Sequence, residues 1–66
     1  MIDYTNSEMA ALIDEHIHSE RDRLILKRRL IDGKTIERLS EEFNLSPRQT
    51  QTIVTRGQAR LFKRLK

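Results

Sequence analysis

The sequence has no cysteine and no tryptophan, and its 66 residues include one proline and two glycines. The lack of cysteine excludes a disulfide framework and a zinc site built from thiolates, and it suits a reducing compartment. Only Tyr4, Phe43 and Phe62 are aromatic, and no segment alternates apolar with polar residues, so the signals of a β-sheet are missing. These absences favour a helical chain.

Long apolar runs are missing as well. The longest are residues 9–13 and 24–26, whereas a helix that crosses a bilayer needs about 20 consecutive apolar residues. Ile2, Asp3 and Tyr4 follow the initial Met, in place of the basic and apolar residues that open a signal peptide. We therefore expect no membrane partner and a cytoplasmic location.

Charge is distributed very unevenly along the chain. Residues 1–18 contain four acidic residues and no Lys or Arg. Residues 46–66 contain six Lys or Arg and no acid, so the modest formal net charge of +3 hides a strongly basic end. Such asymmetry favours a polyanionic partner at the basic end.

Capping residues mark the starts of four helices. They are Thr5, Ser19, Thr35 and Ser46. Glu8 and Gln49 follow two of these residues at the spacing of a capping box, and Pro47 suits the first position of a helix. Gly33 and Asn44 tolerate the left-handed backbone that ends many helices, so we expect the second and third helices to end there.

Apolar residues recur at helical spacing within these segments, which predicts one buried face on each helix. The predicted core comprises Leu12, Ile13, Leu24, Ile25, Leu30, Ile36, Leu39, Phe43, Leu45, Ile53, Val54 and Leu61. Gly57 lies on the inward face of the fourth helix, where close packing against an earlier helix would explain it. The expected fold is all-α: a small bundle of about four helices in one domain, residues 1–66, with an acidic first helix within residues 1–18.

The last two helices are separated by about three residues, which is the spacing of a helix-turn-helix unit, here at about residues 35–58. In such a unit the N-terminal part of the second helix enters the major groove of DNA. The candidate base-contacting residues are Ser46, Pro47, Arg48, Gln51, Thr52 and Thr55. The candidate phosphate-contacting residues are Lys34, Thr35, Arg56, Arg60, Lys63 and Arg64. Arg48 suits guanine and Gln51 suits adenine as hydrogen-bonding forks.

The segments "ERDRLILKRRLIDG" and "TIERLSEEFNLS", followed by the long basic helix, carry a family resemblance. Residues 19–66 resemble the C-terminal promoter-recognition domain, region four, of bacterial sigma factors, and are similar to small sigma-like proteins of phages and mobile elements. The resemblance implies transcription initiation or regulation at the nucleoid, with RNA polymerase as a protein partner. Ser40, Asn44 and Thr50 depart from it, since the family usually has Ala, Gly and an apolar residue there.

Other functions are weighed beside DNA binding. The basic helix also suits a solvated face or a membrane surface, but bulky apolar residues opposite the charge are few. A protein-interaction module of the same fold, which binds RNA polymerase or an anti-sigma-type partner, is the main alternative, and a homodimer stays open. His16 and His18 do not share a helix face, so we expect no metal. No nucleophile–base set or glycine-rich phosphate loop is present, so we expect no enzyme and no cofactor.

Overall fold

Each helix begins at the residue that the capping pattern predicts. The computed structural model describes residues 5–64, with the backbone alone at Arg64. Within this part of the chain the secondary structure is entirely helical, which confirms the predicted all-α class. The helices are α1 (Asn6–His16), α2 (Glu20–Leu30), α3 (Ile36–Glu42) and α4 (Pro47–Arg64). No described helix is long and apolar enough to cross a membrane.

The caps of α1, α2 and α3 use side-chain oxygens, as expected from their residue types. Thr5 Oγ1 accepts a hydrogen bond from the Glu8 N–H at 3.1 Å, and Glu8 Oε1 accepts one from the Thr5 N–H at 3.1 Å, which completes the capping box. The backbone N–H of Thr5 thereby lowers the pKa of Glu8. Ser19 and Thr35 accept from backbone N–H groups three residues later. Each cap satisfies a donor that the helix itself leaves without a partner.

The four helices are arranged around the pair α2 and α4. Both of these helices contact all the others, whereas α1 and α3 flank the pair. Two buried clusters follow from this arrangement. The first cluster, on the α1 side, consists of Ile13, Ile17, Leu26 and Leu61. The second cluster, on the α3 side, consists of Ile25, Leu39 and Val54.

Most of the predicted core is confirmed, and the prediction is wrong for one residue. Five of its members are buried, and six are partly buried against the two clusters. Leu24 is the exception, because 48% of its surface is exposed. The α2 helix packs on two sides, through Ile25 toward α3 and through Leu26 toward α1, so Leu26 takes the buried position that was assigned to Leu24. Leu65, which helical spacing also predicts on the inward face of α4, lies outside the described residues.

Gly57 allows Leu26 of α2 to pack directly against α4. It is buried, and a Cβ atom at this position would lie 2.8 Å from Cδ2 and 3.0 Å from Cγ of Leu26, and closer still to Cδ1. Leu26 is itself fully buried, so its side chain has little room to withdraw. The expectation that close packing explains Gly57 is therefore confirmed.

Ion pairs attach α2 to both flanking helices. Arg28 binds Glu42 of α3 through two hydrogen bonds of 2.7 Å each, and Lys27 Nζ lies 2.7 Å from Asp14 Oδ1 of α1. The hydrogen bonds from Arg28 lower the pKa of the Glu42 carboxyl group, and the same pair raises the pKa of Arg28. A two-point arginine–carboxylate contact is geometrically specific, so it fixes α3 relative to α2.

Replacement of Gly57 by Ala is expected to lower the free energy of unfolding by about 1 kcal/mol. Overpacking against Leu26 costs about 1–3 kcal/mol, and the better helix propensity of Ala returns about 1 kcal/mol. The measurement is urea unfolding followed by circular dichroism. Ala59→Gly, at an exposed position of the same helix, is the matched control. Its free energy of unfolding is expected to fall by about 1 kcal/mol through the lower helix propensity of Gly alone. A stabilised Gly57→Ala variant would show that the contact is loose.

The Arg28–Glu42 pair is expected to make stability depend on acid pH. Folding lowers the pKa of Glu42, so the pair stabilises the fold above the ordinary value of 4.5, and this contribution is lost as the pH falls below it. Glu42→Gln should therefore have a lower melting temperature than the natural chain at about pH 7, and the difference should vanish at about pH 2. Glu41 is the exposed neighbour of Glu42, and Glu41→Gln should leave the melting temperature unchanged at both pH values. An equal difference at both pH values would contradict the role of the pair.

Candidate nucleic-acid interface

The turn between α3 and α4 is held by main-chain hydrogen bonds. Asn44 has a φ of 54°, in the left-handed region where the sequence pattern expected it. The Leu45 N–H donates to the Ser40 carbonyl at 2.9 Å, and the Asn44 N–H donates to the Glu41 carbonyl at 3.3 Å. These two bonds form a Schellman motif, which ends α3 and fixes the direction in which the chain leaves it. The helices of the predicted helix-turn-helix unit are therefore joined by a defined turn.

A capping box then starts α4. The Gln49 N–H donates to Ser46 Oγ at 3.1 Å, and the Ser46 N–H donates to Gln49 Oε1 at 3.2 Å. Pro47 occupies the first helical position, where its missing N–H costs nothing. Ser46 and Gln49 are thus engaged in forming the helix start, so the hydroxyl of Ser46 is less available to a base than the sequence alone suggested.

Two hydroxyl groups lie in the buried layer between α3 and α4, and both are satisfied within their own helix. Thr50 is fully buried, and its Oγ1 donates to the Ser46 carbonyl at 3.0 Å. Ser40 is also buried, and its Oγ donates to the Glu37 carbonyl at 2.6 Å. Both hydroxyls therefore have a hydrogen-bond partner. A buried hydroxyl without one would cost about 1–3 kcal/mol of stability. The inward face of α4 is therefore compatible with the polar residues that depart from the family pattern.

All six candidate base-contacting residues are exposed, at the cap of α4 and along its first turns. Two of their side chains are held by hydrogen bonds along the helix. Gln51 Nε2 donates to Thr55 Oγ1 at 3.1 Å, and Thr52 Oγ1 donates to the Arg48 carbonyl at 3.0 Å. The hydroxyl of Thr52 is thus turned back to its own helix. The structure leaves all six predicted residues exposed at the N-terminal part of α4 and its cap, and helical spacing places Arg48, Gln51, Thr52 and Thr55 on the side away from Thr50.

The candidate phosphate-contacting residues fall into two groups. Arg56, Arg60 and Lys63 are exposed along α4, beyond the base-contacting residues. Lys34 and Thr35 lie instead in the connection between α2 and α3, where Thr35 caps α3 and Lys34 is half-buried, with its carbonyl bound by Arg29 at 2.9 Å. The side chain of Arg64 lies outside the described residues. Only the first group is continuous with the predicted recognition surface.

Two grooves beside α4 contain residues that the sequence analysis did not assign. The first groove has a volume of about 370 Å³, and Arg21 of α2 lines it together with Arg48 and Thr52. The second groove has a volume of about 460 Å³, and His18 and Asp22 line it opposite α4. No local motif points to these residues, because they lie between 27 and 42 residues before the α4 residues that line the same grooves. The packing of α2 against α4 brings them there.

The described residues contain no group of three His, Cys, Asp or Glu side chains with the arrangement of a metal site. His16 and His18 line a third groove of about 290 Å³ with Glu15 and Arg60. A cation such as Arg60 beside two imidazoles disfavours a bound metal ion.

Comparison with known proteins yields no match to a protein-family model, to a curated protein or to a solved structure. The geometry and charge of the α4 surface are therefore the basis for a functional conclusion.

Proposed function

We propose that this chain binds double-stranded DNA in a sequence-specific manner and acts in transcription initiation or regulation, with α4 in the major groove. One observation supports the proposal above the others. The exposed face at the start of α4 combines Arg48, Gln51, Thr52 and Thr55 and follows directly on a rigid turn from α3. The described part of α4 contains no acidic residue that would repel phosphate.

The dimensions of α4 suit this role. Its 18 residues extend over about 27 Å, and a helix with side chains is about 10–12 Å wide, which matches the major groove width of about 12 Å. The N-terminal turns would face base edges, and the distal turns would approach the sugar–phosphate backbone. This division agrees with the order of residue types along α4, in which hydrogen-bonding forks precede the cations Arg56, Arg60 and Lys63.

Gln51 is oriented for adenine by its neighbour. An amide group has two N–H donors and one acceptor oxygen. Thr55 accepts one of the two donors of Gln51, so the second N–H and the oxygen remain for N7 and N6 of adenine. In this proposal Thr55 contributes to specificity by fixing the amide of Gln51, and it needs no base contact of its own.

Arg48→Ala is expected to weaken binding to cognate DNA by about 1–3 kcal/mol. Binding to random DNA of the same length should change much less, because a two-point hydrogen bond to guanine depends on the base. Lys63→Ala is the matched control. This substitution also removes one exposed cation from α4. Because Lys63 is expected to contact a phosphate, its loss should weaken binding to both duplexes alike. Fluorescence anisotropy with both duplexes measures the two effects. Equal losses on both duplexes for Arg48→Ala would contradict base recognition.

The cognate duplex comes from selection out of a random pool with the purified protein at near-physiological salt, and this selection is the direct test of the proposal. An enriched motif is the expected result, and a palindromic motif with half-sites about one helical turn apart would indicate a homodimer. Binding without enrichment would limit the function to phosphate contact. No binding would overturn the proposal.

The second candidate is a protein-interaction module that binds RNA polymerase or an anti-sigma-type partner. The observation that favours it is Leu24, a large apolar residue of α2 that is half-exposed. Salt separates the two functions, because DNA binding through several phosphates weakens steeply as salt rises, whereas an interface with an apolar centre does not. A Leu24→Ser variant that keeps DNA affinity but loses a protein partner would assign that surface.

A further inference from the structure

We propose that the DNA-binding surface continues from α4 onto the turn between α1 and α2, where His18 binds a backbone phosphate together with Arg56 and Arg60. This inference rests on the proposed DNA binding and adds a contact that makes affinity depend on pH. It starts from the second groove, which His18 lines on one side and the two arginines line on the other.

The groove is built from anchored elements. Arg56 and Arg60 are four residues apart, so they extend from the same side of α4. The facing wall is the α1–α2 turn, in which Ile17 is buried in the first cluster and Ser19 caps α2. The guanidinium group of Arg23 donates to the carbonyl of Ile17. The exposed His18 is therefore presented from a turn whose two neighbouring residues are both fixed.

The charges around His18 favour an anion that is not part of the protein. Arg56 and Arg60 face it from α4, His16 and Glu15 face it from α1 across the third groove, and Asp22 faces it from α2. Asp22 is already engaged, because its Oδ1 lies 3.2 Å from Nε of Arg21. The exposed Glu15 is the remaining carboxylate beside His18, Arg56 and Arg60.

A phosphate in this groove would couple DNA binding to proton uptake. With a phosphate between them, the imidazole of His18 and the two arginines surround an anion, and the charged form of the imidazole is favoured. Histidine is the side chain that gains a proton between about pH 8 and pH 5. Affinity for DNA should therefore rise as the pH falls across this range.

The test compares binding of a random duplex of about 20 base pairs at about pH 8 and pH 6, at several salt concentrations. A random duplex suffices, because a phosphate contact does not depend on sequence. The natural chain is expected to bind about two- to fivefold more tightly at the lower pH, which is the range of one exposed ion pair. The slope of log affinity against log salt should steepen by up to about 0.9, the value for one further phosphate.

Three variants make the test specific. His18→Gln should abolish most of the pH effect, and His18→Arg should show the low-pH affinity and slope already at about pH 8. His16→Gln is the matched control and should keep the pH effect, since His16 lines the third groove and does not line the second. Urea unfolding checks that the exposed substitutions leave stability unchanged.

The outcomes separate this inference from the proposed function. If the natural chain binds DNA and His18→Gln shows the same pH effect and salt slope, the phosphate contact at His18 is overturned and the role of α4 stands. If His16→Gln abolishes the pH effect in place of His18→Gln, the inference is overturned as well. If the natural chain binds no duplex at either pH, both the inference and the proposed function fail.

Discussion

The close approach of α2 and α4 at Gly57 is the constraint on which the rest of the structure depends. The missing side chain lets Leu26 lie directly against the α4 backbone, and the two helices then form a central pair. Each remaining helix covers one side of this pair, so Leu26 and Ile25, although adjacent in sequence, enter two different clusters. A larger residue at position 57 would push α4 away from α2 and loosen both clusters together, because α4 contributes Leu61 to one and Val54 to the other.

The same packing distributes the charge of the molecule. Lys27 and Arg28 of α2 are engaged by one carboxylate of α1 and one of α3, so Asp14 and Glu42 neutralise cations where the helices are attached to one another. The cations of α4 have no acid on their own helix, and Arg21 and His18 from the start of α2 and the turn before it lie beside them. A chain with a net charge of only +3 thereby presents a surface with a much higher local density of positive charge.

The local features of the fold could be predicted from the sequence, because caps and turns depend on residues a few positions apart. Ser46, Gln49 and Asn44 all behave as their residue types predict. Long-range features could not be predicted in the same way. The exposure of Leu24 depends on which side of α2 each neighbour covers, and Arg28 binds Glu42 across 14 positions. The residues of α4 that form the candidate surface follow from helical periodicity, whereas His18 and Arg21 join it only through tertiary packing.

The departures from the family pattern bear on how far the resemblance can support the proposal. Asn44 takes the left-handed conformation that Gly would take, and Thr50 and Ser40 return their hydroxyl groups to carbonyls of their own helices. None of the three therefore counts against a helix-turn-helix fold, because each is compatible with the backbone that it occupies. Ser40 and Thr50 are also buried, so neither reaches the candidate DNA surface. Under the proposed function, any base preference would arise from exposed residues such as Arg48 and Gln51, so the fold supplies the scaffold and those side chains decide the target sequence.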